Sequence, residues 1–231
     1  MAHVNCKVNS ITPLTPVVYE VILTPEVSID FRPGQYLQVV MGEDDQRPFS
    51  IANPAHQNDR LILHIGATED NPYAWEVLQK MRAEQAVIVN VPDGNAFYQA
   101  SDRPALLIAG GTGFSYVNSI LRSVLHDTPE QAITLYWGVR HEADLYHKAE
   151  LEALAQQHQN FTFKPVVENA EPSWKGLTGR VHEAAMEKES QLTEYDVYVA
   201  GRFEMAKVIR DDFTARGCDA KHIIGDAFAY L

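Results

Sequence analysis

Cysteine is scarce in this chain of 231 residues, where Cys6 and Cys218 are the two present. They form no C-x2-C pair and no C-x4-C-x2-C run, so no iron–sulfur module or thiolate zinc framework can be built from them. Two unpaired thiols suit a reducing cytosol. Positive charge is also short: 19 Lys and Arg face 31 Asp and Glu, for a formal net charge of −12. A nucleic-acid backbone or an anionic membrane surface needs clustered cations, and neither partner is expected here. No apolar run approaches the length of a membrane span, and the opening MAHVNCKVNS has no apolar signal core. A cytoplasmic protein is expected. His141 and His147 stand apart without H-E-x-x-H spacing, so no metal site is expected either. Repeats of solenoid period and low-complexity segments are absent.

What is present reads as an ordinary globular chain, 45% hydrophobic and 22% charged. The first hundred residues carry strand patterns rich in β-branched side chains: VVYEVILTP (17–25), GQYLQVVM (34–41), RLILHIGA (60–67) and AVIVNVP (86–92). Gly and Pro punctuate them at FRPGQ, ANPAH and PDGN. YAWEVLQKM, Tyr73 to Met81, has helical spacing after Asn71-Pro72. Short strands at regular spacing predict a small antiparallel β-barrel over residues 1–100. The rhythm changes near Ser101. Strand-like and helix-like segments then alternate four times, from ALLIAG to EMAKVIRDDFTARG. That alternation predicts a Rossmann-like parallel α/β domain over residues 101–231, with helices on both faces of its sheet.

Within LLIAGGTGFSY, Gly110-Gly111-Thr112-Gly113 closes the first strand of the second half and opens a helix. Glycines allow a sharp turn and close approach to the main chain. A helix starting there points its positive end at an anion. A plain strand-to-helix turn has the same spelling; the position outside a parallel strand favours a phosphate loop. The loop departs from G-x-G-x-x-G, and no acidic residue follows at ribose-binding distance. Arg140 stands beyond the next strand instead, either as a surface residue or as a partner for pyrophosphate or a 2′-phosphate.

DQRPFSIANP supplies a second constellation. In an extended strand Arg47 and Phe49 share one face while Ser50 points to the other. A strand start with a buried Phe and a surface Arg would look the same.

Taken in order, these stretches resemble the ferredoxin–NADP+ reductase superfamily. Arg47-Pro48-Phe49-Ser50 resembles its R-x-[YF]-S flavin motif, and Gly110 to Gly113 its nicotinamide-nucleotide loop. YDVYVAGRFEM is similar to the strand and turn that usually read C-G, with Ala200 in place of the cysteine. The likeness runs from CKVNS to GDAFAYL. It is nearest to the bacterial NAD(P)H:flavin oxidoreductases, the free-flavin reductases that include a luminescence-associated type.

The resemblance implies hydride transfer from nicotinamide C4 to flavin N5. NADH or NADPH would be the donor. Riboflavin, FMN or FAD would bind weakly as substrate and leave reduced, to serve an acceptor such as a flavin-accepting monooxygenase or luciferase. It places Arg47, Pro48, Phe49 and Ser50 along the flavin, with His64, Ile65, Gly66, Ala67 and Tyr73 adding contacts and Thr112 at the junction of the two ligands. Gly110, Gly111, Gly113, Phe114, Ser115, Gly138, Arg140, Gly201, Arg202 and Met205 would face NAD(P)H. Ser50 would hydrogen-bond N5. Asp226 would steer the carboxamide or stabilise charge on nicotinamide; a carboxylate capping a turn is the other reading. Two further functions stay open. One is a reductase that holds its flavin tightly and passes electrons to a protein partner such as an oxygenase. The other is a nucleotide-binding regulatory module without catalysis.

Overall fold

The computed structural model describes residues 2–230. Six strands build the first sheet: β1 (Ala2–Pro13), β2 (Val18–Pro25), β3 (Tyr36–Gly42), β4 (Asp45–Ser50), β5 (Leu61–Gly66) and β6 (Ala86–Asp93). They pair antiparallel throughout, in the order β4-β3-β6-β1-β2-β5. Alternate residues of the strands other than β4, such as Leu61, Leu63 and Ile65 of β5, are buried in one core. The edge strands β4 and β5 share no ladder. Ala52 N–H donates to the Ile62 carbonyl at 2.7 Å, and Ile62 N–H to the Asn53 side chain at 2.8 Å. The expected barrel is therefore a curled sheet whose seam is bridged by the segment after β4. Helix α1 (Pro72–Glu84) starts on a proline and sends Ala74, Val77, Leu78 and Met81 into the same core. It is longer than the Tyr73–Met81 expectation at both ends.

The second sheet is parallel. Its elements are β7 (Ala105–Gly110), α2 (Phe114–Asp127), β8 (Ile133–Val139), α3 (Lys148–Gln157), β9 (Phe161–Val167), β10 (Leu177–Thr178), α4 (Val181–Lys188), β11 (Asp196–Ala200), α5 (Phe203–Ala215) and β12 (Ile223–Ile224). Strand order is β10-β9-β8-β7-β11-β12. Leu107 and Ala109 of β7 pack toward α2 and α3, while Leu106 and Ile108 pack toward α4 and α5. Both faces are covered, as the alternation predicts. The chain enters at β7, runs one way to β10, then crosses back to β11 on the other side of β7. That reversal opens a crevice at the carboxyl ends of β7 and β11.

Helix α2 is buried from Phe114 through Leu121 because it lies between the two sheets. Its apolar side packs on the parallel sheet. Its polar side chains meet the first half: Asn118 Nδ2 donates to the Ala52 carbonyl at 2.9 Å, Ser119 Oγ to the Asn53 carbonyl at 2.8 Å, and Ser123 Oγ accepts from Ala55 N–H at 3.1 Å. Buried hydroxyls and amides are costly without such partners. Cys6 and Cys218 are buried and unpaired. Among the described residues no helix is long and apolar enough to cross a membrane.

Candidate active site

The crevice is shaped by missing side chains. Gly111 to Gly113 form one 3-10 turn between β7 and α2, and Gly111 has φ 53°, in the left-handed region. Trp137 Nε1–H donates to the Gly111 carbonyl at 2.9 Å, and Phe114 stacks on the Trp137 ring at 4.0 Å, so β8 holds the turn from below. A Cβ on Gly113 would stand 2.3 Å from the Ala200 carbonyl oxygen, and one on Gly110 would stand 2.6 Å from Met205 Sδ. The loop thus meets the backbone at the end of β11 through Gly113 and the Met205 side chain through Gly110. No side chain caps α2, and the Phe114 N–H is taken by the Gly111 and Thr112 carbonyls of the 3-10 turn. Ser115, in the first turn of α2, has a buried hydroxyl with no hydrogen-bond partner.

Gly138 serves packing: a Cβ there would lie 2.6 Å from the Val181 Cβ of α4. Arg140 and Arg202 are exposed at the ends of β8 and β11. The acidic neighbours of Arg140 are engaged elsewhere. Glu142 accepts from Lys148 at 2.7 Å, and the Asp144 carboxylate accepts from His141 N–H at 3.0 Å.

Strand β4 forms a wall made of side chains. Ser50 lies opposite Tyr36 of β3, and Tyr36 opposite Asp93 of β6, so the three form a row across adjacent strands. Asp226, in the 3-10 turn Asp226–Tyr230 that returns to the first sheet, stands at the end of this row. A Cβ on Gly94 would lie 2.9 Å from the Tyr36 ring and 3.3 Å from Asp226 Oδ1. Burial pushes the Asp226 carboxyl up to about 6; the Ala96 N–H it accepts opposes this, and the Asp93 charge adds to it.

Arg47 is engaged from all sides. Its Nε and Nη2 hold the two Asp45 oxygens at 2.9 and 2.6 Å, Nη2 also meets Glu76 of α1 at 2.8 Å, and Nη1 donates to the Tyr73 carbonyl at 2.6 Å. Its guanidinium lies 5.0 Å from the centre of the Tyr73 ring. Hydrogen bonds to Asp45, and then to Glu76, lift its pKa further above the ordinary arginine value, against the cost of burial. The side chain pins β4 to α1.

The first sheet also meets the crevice at the end of β5. A Cβ on Gly66, the last residue of β5, would lie 3.2 Å from Thr112 Cγ2. Two residues earlier, His64 lies on the same face of β5, also toward the second half. It is buried against Phe114, Tyr146 and His147, with ring centres 5.9, 5.4 and 5.4 Å away. Burial, then His147 and Arg122, push its pKa down to about 3. Ile65 is in the core of the curled sheet. Ala67 extends β5 by one hydrogen bond, its N–H donating to the Val17 carbonyl at 2.8 Å.

The fold therefore brings Ser50 toward Asp226, Gly66 to Thr112, and Gly110 and Gly113 to Gly201 and Met205. It sets His64 and Ile65 apart from the wall, and turns Arg47 toward Tyr73 and Glu76 of α1. Sequence reasoning missed Tyr36, Asp93 and Gly94, which complete the row, and Trp137, which holds the turn. Tyr36 in GQYLQVV and Trp137 in LYWG carry a weak signal, aromatics next to glycine at a strand end.

Comparison with known proteins bears on the family and the fold. Residues 107–211 match the oxidoreductase NAD-binding domain family. The NAD(P)H-flavin reductase of Aliivibrio fischeri is 47% identical over 235 residues, covering 99% of both chains. That of Vibrio harveyi is 46% identical with the same coverage. A probable flavin reductase of Photobacterium leiognathi is 36% identical over 98% of both chains. Among solved structures, an Amycolatopsis cytochrome P450 reductase superposes with a TM-score of 0.88 at 24% identity, covering 97% of this chain and 69% of its own. The cytochrome b5 reductase domain of Ulva prolifera nitrate reductase gives 0.82 at 17% identity, with 97% of each covered. At such identities the structures speak to the fold alone. A curled antiparallel sheet joined to a parallel sheet is the fold those structures share, and the matched segment marks this chain as one that carries an oxidoreductase NAD-binding domain. Within that class the chain belongs to the NAD(P)H-flavin reductases, enzymes that pass reducing equivalents from NAD(P)H to flavin.

Proposed function

We propose that the chain reduces riboflavin, FMN and FAD as free substrates, by hydride transfer from C4 of NADH or NADPH to flavin N5. In this reading residues 1–100 hold the isoalloxazine and residues 101–231 the nicotinamide nucleotide. The observation that carries it is the contact of Gly66 with Thr112, where the end of β5 in the first sheet meets the glycine crevice. Two flat rings stacked there would have their reactive atoms in the hydride range, shielded from water. Ser50 supplies a hydroxyl at the wall for N5. Asp226, at the end of the same row, supplies a carboxylate for the carboxamide or for charge developing on nicotinamide. Gly110, Gly111, Gly113, Ser115 and the first turn of α2 line the nucleotide, with Gly201, Arg202 and Met205 across the crevice and Arg140 beyond β8.

Arg47 supports the free-substrate reading. Its guanidinium is already paired with Asp45 and Glu76, so it offers little to a flavin phosphate. Exposed Glu69 and Asp70, just ahead of α1, oppose an anion as well. The reduced flavin would leave for a flavin-accepting monooxygenase or luciferase in the cytoplasm. A steady-state assay crossing NADH and NADPH with the three flavins tests this, together with gel filtration of flavin-loaded protein. Turnover of added flavin and a colourless protein peak are expected. A yellow peak whose rate is independent of added flavin would replace this reading with a reductase that retains its flavin.

A further inference from the structure

Three side chains far apart in the sequence converge at the seam between the two sheets. Glu20 of β2, His64 of β5 and His147, just ahead of α3, each place a ligand atom within 4.8 Å of the others. Glu20 and His64 are directly opposite in the β2–β5 ladder. His147 comes from the other half of the molecule. Each imidazole has an outer partner on one nitrogen. The Tyr146 hydroxyl lies 3.3 Å from His64 Nδ1, while Nε2 faces the Glu20 carboxylate at 3.9 Å. Glu150 lies 3.0 Å from His147 Nδ1, which leaves Nε2 for a ligand. Arg122 is paired with Glu150 at 2.8 Å and donates to Asn118 at 2.9 Å, so its charge is balanced outside the cluster. A cavity of about 180 Å³ opens beside the three, lined further by Asn53 and Ile62.

We propose that Glu20, His64 and His147 bind a borderline divalent transition-metal ion, Zn²⁺ fitting the ligand set best, with a water from the cavity in the fourth position. Two imidazoles and one carboxylate are a zinc ligand set, whereas Mg²⁺ and Ca²⁺ take oxygen donors. Outer partners that hold one ring nitrogen while the other faces the ion are the usual second layer of such sites. Ligand atoms at ~2.0–2.1 Å from a tetrahedral zinc stand about 3.3 Å apart, so the present spacing closes by small side-chain rotations. The ion would join β2 and β5 to the segment ahead of α3, clasping the two halves beside the contact of Gly66 with Thr112. A folded protein that binds an ion its unfolded chain does not is stabilised by it.

The test uses the full chain without a histidine tag, stripped with a chelator, titrated with Zn²⁺ by calorimetry and with Co²⁺ by visible absorption. One tight equivalent, four-coordinate Co²⁺ bands and a Tm that rises with Zn²⁺ are expected. Glu20→Gln and His147→Gln should each weaken binding by about tenfold or more and remove the Tm rise, and Tyr146→Phe should weaken it by about tenfold. These three side chains are less buried than His64, whose replacement risks the fold. The exposed cluster of His56, His126 and Asp127 is the competing site. Loss of the tight equivalent in His126→Gln would overturn the proposal. So would binding unaffected by Glu20→Gln and His147→Gln, or no binding at micromolar metal by folded protein.

Discussion

The crevice and the wall, whose two sheets meet at Gly66 and Thr112, are built by opposite means. The crevice exists because side chains are absent: Gly110 and Gly113 sit where any Cβ would strike Met205 or the Ala200 carbonyl. The wall exists because side chains are present and already arranged by the strand ladder, Ser50 beside Tyr36 beside Asp93. Steric demands of the first kind are all-or-none where the neighbour is backbone, as at Gly113. Demands of the second kind are graded, since one hydroxyl or carboxylate can be altered while the strand stays in place.

Substitution should separate the two kinds. Gly113→Ala is expected to have the largest effect. A Cβ 2.3 Å from a backbone oxygen cannot be relieved by a side-chain rotation, so the turn must move. The cost should be about 3 kcal/mol of stability, with a larger loss of kcat/KM for NAD(P)H than for flavin. A wild-type KM for the nicotinamide nucleotide in this variant would show that the crevice does not hold it.

Asp226→Asn comes next. Burial raises the folded-state carboxyl to about 6 from an ordinary 3.8. The folded state therefore holds the proton more tightly than the unfolded chain. Stability from this group is fully present below about pH 4 and is lost as pH rises through about 6, by up to about 3 kcal/mol. The asparagine variant should lack that decline, so its Tm should exceed wild type at neutral pH while its turnover falls. Denaturant melts across this range check the first half. A parallel pH dependence in both proteins would refute it.

Ser50→Ala should lower turnover at saturating substrates by about tenfold or more, the effect of losing one hydrogen bond of about 1–3 kcal/mol that strengthens during transfer, with flavin affinity changed less. Unchanged turnover would remove Ser50 from the chemistry. The smallest effect expected is among the flavins themselves. Riboflavin, FMN and FAD should bind within about tenfold of one another, about 1.4 kcal/mol, because Arg47 is paired inside the protein and the loop before α1 is acidic. Calorimetric titration decides it. Nanomolar FAD beside much weaker riboflavin would mean that the tail is gripped.

Local pattern alone determined much of this protein. Alternating apolar residues in LILHIGA, the β/α rhythm after Ser101 and the glycine run at the end of β7 all express physics that acts within a few residues: face-by-face burial, and the steric freedom of a chain without Cβ. Strand β1 alternates apolar with polar side chains from Ala2 to Asn9, a strand signal open to the sequence, whereas the length of α1 was less legible because its charged carboxyl end, Arg82 to Glu84, resembles loop. What the tertiary structure decided is which distant groups share a space. It paired Arg47 with Asp45 and Glu76, turned His64 from the wall to the seam beside Glu20 and His147, and brought Asp226 back to Gly94 and Tyr36. Those meetings depend on strand order, register and the crossing from β10 to β11. No spacing along the chain encodes the order in which strands assemble, and the charge state and reach of each side chain follow from that order.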